Sequence, residues 1–170
     1  MGFNLKANVN VRPHARTLLK DISKLFTVGI FTASHICYAE EVANNLDPNR
    51  EHISFLLSRN NCLQVDKNVY VKDLRVIEEF SQDSILLVDN AAYSYGFQID
   101  NGIPCIPFYD DPEDRELMKL ETYLEELSKL PIENLIPTVK QQLASYLLVE
   151  SEDEISLIRK LHKSMHEPQQ

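Results

Sequence analysis

Ile85-Leu86-Leu87-Val88 runs without a polar residue straight into Asp89-Asn90, and this junction constrains the fold more than any other stretch of the chain. Four consecutive aliphatic residues with no alternation describe a strand covered on both faces, as in the parallel sheets of α/β domains. A carboxylate and a carboxamide at the carboxyl end of such a strand stand where open α/β sheets bind their ligands, in the crevice at a topological switch point. Two readings of the pair are open on this pattern alone: a ligand site, or a loop acid capping the next turn.

The flanking sequence supplies layers for such a sheet. Phe3 to Val11 alternates strictly, which predicts a strand with one wet face. Arg12-Pro13 opens a helix with the stripe Leu18, Leu19, Ile22, Leu25 and Phe26. Val28 to Phe31 reads as a second buried strand, ending in Thr32-Ala33-Ser34. Ser34 is placed to N-cap a helix carrying Ile36, Ala39, Val42, Ala43 and Leu46, stopped by Asp47-Pro48. Ile53 to Leu57 is a third strand. Residues 59–71 read as irregular and polar, with a short extended piece at Val69-Tyr70-Val71 that delivers Lys72-Asp73 ahead of a short helix. Ile103 to Ile106, bracketed by Pro104 and Pro107, suits an edge strand. Glu113 to Lys129 is helical, with Leu117, Leu120, Leu124 and Leu127 at helical spacing, and Pro131 ends it. Val139 to Val149 and Ser151 to Met165 are helical by composition, the second opened by a Ser151/Glu154 capping box. That order predicts a doubly wound α/β domain over residues 1–130 and a helical C-terminal tail over 131–170.

Bulk properties narrow the function. A formal net charge of -9 over 170 residues argues against a phosphate-backbone partner, which a protein meets with clustered Lys and Arg, so no nucleic acid is expected. No apolar run approaches a membrane span, and Met1 is followed by a polar segment, so neither a signal peptide nor an anchor is expected. Cys37, Cys62 and Cys105 are scattered and lack a C-x-x-C pair, which fits reduced thiols in a nuclear or cytoplasmic protein and gives zinc no support. His162 and His166 stand four apart without a third ligand nearby, as on a solvated tail helix.

Thr32, Lys72 and the Asp89-Asn90 pair are brought by this topology to one edge of the sheet. A hydroxyl and backbone amides after a strand can hold a phosphate oxygen, and an ammonium can neutralise charge on a transferring phosphoryl group. A carboxylate with an amide oxygen is a suitable partial shell for Mg²⁺, which keeps waters and takes further ligands from substrate. Together they describe phosphoryl transfer without a nucleophile.

The pieces Phe31-Thr32-Ala33-Ser34, Tyr70-Val71-Lys72-Asp73-Leu74 and Leu87-Val88-Asp89-Asn90, with Arg12-Pro13 ahead and Tyr95, Asp100, Asn101 and Pro104 behind, resemble the NLI-interacting-factor-like phosphatases. These are the small C-terminal-domain phosphatases of the haloacid dehalogenase superfamily, and the resemblance runs from about Leu5 to about Leu130. It implies a haloacid-dehalogenase-like Rossmannoid parallel sheet and a Mg²⁺-dependent protein serine/threonine phosphatase working through an aspartyl-phosphate. It further implies that Thr32 holds phosphoryl oxygens, that Lys72 stabilises the aspartyl-phosphate and its transition state, and that Asp89 and Asn90 lie at the Mg²⁺ site, Asn90 as a direct ligand. Tyr38 and Arg59 fall where that family contacts its phosphoserine peptide. Their alternatives, a core tyrosine and a surface ion-pair partner, remain open.

The departure from the family is as informative as the match. Members begin catalysis with Asp-x-Asp-x-Thr on a central first strand, and this chain contains no Asp-x-Asp. Phe3 to Val11 cannot replace that strand, because a central strand is apolar on both faces. The sheet must then close by pairing Val28–Phe31 with Ile85–Val88, or leave buried edges unpaired at about 1–3 kcal/mol per group. The expectation is a fold compromised or completed by a partner. Two functional readings follow: a phosphatase domain inactive as this isolated chain, or a catalytically dead phosphopeptide-binding or scaffold module. The mitochondrial import receptor of the same domain type is a third, weaker relation, since neither transit peptide nor span is seen here.

Overall fold

The computed structural model describes residues 9–143 and Ser156. The expected strand at Phe3–Val11 therefore lies outside the described residues except for 9–11, which carry no regular structure. The expected helix at Ser151–Met165 also lies outside them, Ser156 apart.

Helix α1 spans Ala15–Ile22 and buries Leu18 and Ile22. Its entry is fixed by Arg12. The guanidinium donates from Nε and Nη2 to the two carboxylate oxygens of Asp114, both at 2.7 Å, and from Nη1 to the Ile106 carbonyl at 2.6 Å. A planar fork against a carboxylate is the geometry that makes arginine hard to replace. Strand β1 (Gly29–Phe31) follows, then α2 (Ile36–Leu46), then β2 (Phe55–Leu57), which pairs with β1 in parallel. His35, not Ser34, caps α2, its ring accepting the Cys37 amide proton at 3.4 Å. The buried Asp47 does more than end α2: it accepts the amides of Glu51, His52 and Ile53 at 3.0, 2.8 and 2.8 Å and so turns the chain into β2.

Residues 59–71, expected to be irregular apart from an extended piece at Val69–Val71, hold a hairpin in which that piece is the second strand. Strands β3 (Leu63–Asp66) and β4 (Val69–Val71) pair antiparallel, with a register shift between Gln64 and Asp66 and Asn68 left-handed at φ 64°. Strands this short, with Leu63 and Gln64 exposed, leave too little alternation to read. β5 (Leu87–Asp89) pairs in parallel with β6 (Gly102–Pro104). Pro104 sits on an edge as expected, for among the described residues β6 has β5 as its one ladder partner. Asn101 locks the approach to β5, donating to the carbonyls of Gln82 at 2.7 Å and Ile85 at 2.8 Å.

Helix α3 (Glu116–Leu127) packs Leu124 and Leu127 against Leu18 and Ile22 of α1. Pro131, read as the stop of α3, stands directly before a further helix, α4 (Ile132–Leu143), which begins well ahead of the expected Val139. Leu135 and Val139 of α4 join the same core as Ile103. Proline is tolerated at a helix start, where its missing N–H would have no partner anyway.

The sheet is interrupted at its middle. β1–β2 and β5–β6 are separate two-stranded parallel pairs, and β1 does not pair with β5. Between them lies a cavity of about 550 Å³ walled by residues of both strands. Of the two outcomes open from sequence, the structure takes the unpaired one. In consequence β1 is not covered on both faces as its composition predicted: Gly29 is exposed, and Ile30 and Phe31 are half-buried.

Candidate active site

The carboxyl ends of β1, β4 and β5 converge. Lys72, directly after β4, is 8% exposed, and its backbone amide donates to the Ser94 carbonyl at 2.7 Å. The segment beyond it is held by Asp73 and buried Gln98. Asp73 accepts the Arg75 amide and the Gln98 side chain, both at 3.0 Å, while Gln98 accepts the Leu74 amide at 3.1 Å. With its backbone thus fixed, Lys72 sends its ammonium to Asp89 Oδ2 in an ion pair whose side chains are about 10% exposed. Asp89 Oδ1 accepts the Ala91 amide at 2.8 Å. Of the two readings open for Asp89, the structure shows the cap on the following turn, made while the second oxygen pairs with Lys72.

Thr32 follows β1. Its amide donates to the Leu57 carbonyl at 2.9 Å, and its hydroxyl oxygen accepts the Ser34 amide at 3.1 Å, which leaves the hydroxyl proton available to a ligand. Cys62 joins the two halves. Its thiol lies 3.7 Å from the Thr32 carbonyl, and burial pushes its pKa up, while Lys72 and Arg59 pull it down and Asp89 adds to the rise. Sequence reading treated Cys62 only as an unpaired thiol, since nothing local marks a cysteine that lies between two strand ends.

Arg59 stands beside Thr32. Its amide donates to the Ser34 carbonyl at 3.0 Å and its Nε to the Ala33 carbonyl at 2.6 Å, while the guanidinium stacks on Tyr70 at 5.1 Å. The surface ion pair considered for it is replaced by backbone and aromatic contacts. Buried Ser58 and exposed Asn61 hold this turn through a reciprocal capping box. Tyr38, in the first turn of α2, is 44% exposed, which removes the core-packing alternative. Asn90 is exposed next to Asp89. The structure thus gathers Lys72, Asp89, Thr32, Cys62 and Arg59, and leaves Tyr38 and Asn90 presented to solvent near them in the chain.

No group of three or more His, Cys, Asp or Glu able to hold a metal occurs among the described residues. The donors present are one carboxylate and one exposed amide, both hard oxygen ligands. A magnesium ion bound largely through water and a phosphate would accept such a set.

The two parallel pairs present a hydroxyl and a carboxylate at their carboxyl ends, where open α/β sheets bind ligands, and the β3–β4 hairpin adds the Lys72 ammonium beside them. The chain belongs to the NLI interacting factor-like phosphatase family, whose model matches residues 2–134. It is 38% identical over 138 residues to CTD small phosphatase-like protein 2 of Dictyostelium discoideum, covering 81% of this chain and 24% of that protein. It is 42% identical over 122 residues to CTD small phosphatase-like protein 3 of Caenorhabditis elegans, covering 72% and 42%. The chain thus spans less than half the length of these relatives. Its fold is similar to that of Fcp1, an essential RNA polymerase II CTD phosphatase, with a TM-score of 0.52 at 21% identity over 92% of this chain and 45% of that one. The α/β fold is accordingly of the haloacid-dehalogenase type. No helix among the described residues is long and apolar enough to cross a membrane.

Proposed function

We propose that this chain is a phosphoprotein phosphatase domain that binds phosphoserine or phosphothreonine segments of a protein substrate at the Thr32–Lys72–Asp89 edge. The observation carrying this reading is the buried Lys72–Asp89 pair set beside Thr32 at adjoining strand ends. An ammonium has three donors, and Asp89 takes one, so two remain for phosphoryl oxygens. The Thr32 hydroxyl proton supplies a further donor. Arg59, steadied by Tyr70, and exposed Tyr38 line the approach for the peptide. Asp89 and Asn90 are the residues that would hold Mg²⁺, whose role when bound is to neutralise charge on the phosphoryl group. A nuclear or cytoplasmic location belongs to the same reading.

Turnover needs a nucleophile. Neither Thr32 nor Lys72 has a base positioned to activate it, and the one carboxylate of the ion pair, Asp89, is held by Lys72 and the Ala91 amide. The isolated chain therefore binds phosphopeptide without hydrolysing it, and a partner that completes the sheet is part of the reading. The interrupted sheet equally favours a second version, in which the chain serves permanently as a binding module.

Calorimetric titration with a phosphoserine peptide and its unphosphorylated twin, with and without Mg²⁺, tests the proposal. Preference for the phosphorylated peptide, weakened at least about tenfold by Lys72→Ala, is expected. Equal affinity for both peptides would overturn it. Mg²⁺-dependent hydrolysis of an aryl phosphate by the chain alone, abolished by Asp89→Ala, would overturn the inactive state and the binding-module version together.

A further inference from the structure

The loop between β6 and α3 leaves the sheet at the candidate site, for the Cys105 amide donates to the Asp89 carbonyl at 3.1 Å. It continues as Ile106-Pro107-Phe108-Tyr109-Asp110-Asp111-Pro112-Glu113. Ile106 is 60% exposed and Tyr109 78%, and Pro107 is exposed between them. Single exposed apolar residues are ordinary, whereas neighbouring ones rimmed by polar groups mark interaction surfaces.

Exposure here does not come from a loose loop. Arg12 Nη1 donates to the Ile106 carbonyl at 2.6 Å, and its guanidinium stacks on half-buried Phe108 at 5.4 Å. Asn10 Nδ2 donates to the Tyr109 carbonyl at 3.1 Å, and the Ile106 amide to Glu116 Oε1 at 3.2 Å. The Glu113 amide donates to Asp111 Oδ1 at 2.9 Å. A loop held along its length in this way loses little further freedom when a ligand settles on it.

Charge points to the occupant. Asp114 is taken by Arg12, and Glu116 faces Lys119 at 3.8 Å. Asp110, Asp111 and Glu113 are exposed, and no ion pair among the described residues engages them. The exposed cation of this stretch is Arg115, which leaves the rim of Ile106 and Tyr109 acidic. Open carboxylates beside an open aromatic ring suit arginine, whose guanidinium stacks on the ring while its N–H groups reach the carboxylates. The opposite sign stands across the site, where Lys72 and Arg59 flank Cys62.

We propose that this loop is a second contact surface of the site and reads the phosphoprotein itself: an arginine next to an apolar residue, within about six positions of the phosphorylated one. Asp110 stands five residues beyond Cys105, so at most about 18 Å of chain separates it from the strand end. Five or six residues of extended peptide cover that span. The inference rests on the phosphatase reading for the phosphate, and the loop contributes to a different comparison in the experiment, so the two fail separately.

Four labelled peptides are titrated into the full chain by fluorescence anisotropy. One carries a phosphoserine with an Arg-Leu pair about five residues away on each side, and its twin has Gln-Ser in place of each pair. The other two are their unphosphorylated forms. The Arg-Leu phosphopeptide is expected to bind at least about tenfold more tightly than the Gln-Ser phosphopeptide, an advantage that shrinks as salt rises. Asp110→Asn/Asp111→Asn/Glu113→Gln together, and Tyr109→Ala separately, are each expected to cut that advantage to about threefold or less. Tm is expected to stay unchanged, because the substituted side chains are exposed. Equal affinity for the two phosphopeptides would overturn the proposal, as would an advantage that survives intact in both variants. Self-association of the chain that the triple variant abolishes would also overturn it, placing a second copy on the loop. The phosphate reading instead fails if the phosphorylated and unphosphorylated Gln-Ser peptides bind alike.

Discussion

Replacing Lys72 by methionine isolates the Lys72–Asp89 pair, because methionine fills nearly the same unbranched volume and carries no ammonium. The two side chains are 10% and 9% exposed, so the variant leaves a carboxylate out of solvent with the Ala91 amide at 2.8 Å as its remaining donor. Removing one partner of a buried pair costs about 3–5 kcal/mol. At about 2–4 °C per kcal/mol for a chain of this size, Tm falls by about 6–20 °C. Asp89→Asn alone strands the ammonium and is expected to cost a similar amount. The double variant leaves two neutral groups and is expected to recover at least about 2 kcal/mol relative to the summed single effects, the coupling typical of groups in direct contact. Urea titrations and thermal melts with EDTA, so that no metal occupies the site, measure all four proteins. Additive single effects, agreeing within about 0.5 kcal/mol, would refute a coupled pair and with it the argument that Asp89 positions Lys72.

Other perturbations separate the parts of the fold. A Cβ built at Gly102 meets the ring of Tyr95 at 2.2 Å, and that ring is fully buried, so Gly102→Ala is expected to lose about 1–3 kcal/mol in urea titration. The same change at Gly29 meets the far edge of Phe55 at 2.2 Å, but Phe55 borders the open cavity and can shift, so Gly29→Ala is expected to cost less than Gly102→Ala. Arg12 holds the Asp114 carboxyl below its ordinary value of 3.8. A depressed carboxylate contributes stability above its unfolded pKa and loses it as pH falls through the folded one, so Asp114→Asn should flatten the acid limb of stability below about pH 4. Burial works to raise the Asp73 carboxyl, but hydrogen bonds from Arg75 and Gln98 outweigh it and leave it lowered. Asp73→Asn therefore shifts the same limb in the same direction. Arg59→Ala is expected to weaken phosphopeptide affinity while leaving Tm nearly unchanged, since the side chain is exposed.

Much of this architecture is written in short-range pattern. Val28 to Phe31 and Ile85 to Val88 are recognisable because parallel strands between helices dispense with polar alternation, and α1, α2 and α3 follow from apolar spacing. Lys72 and Asp89 were legible as strand-end polar residues, and the structure joins them. What escaped the sequence depends on contacts distant along the chain. The β3–β4 hairpin has strands too short for a period, and Asp47 turns from helix stop to a three-amide acceptor only once residues 51–53 fold back on it. Cys62 gains its place between Thr32 and Lys72 purely from topology. β1 is less buried than its composition predicts because that composition expects a neighbour on each side, and the described residues provide β2 alone.

Amide exchange along β1 and β5 in the unliganded chain tests the central claim, that these strands face each other across an open slot without pairing. Fast exchange is predicted at Gly29, Phe31, Leu86 and Val88, with slow exchange at Ile30, Thr32 and Asp89, whose amides are turned to β2 or β6. Uniform slow exchange across all seven amides would contradict it, showing the two edges already paired.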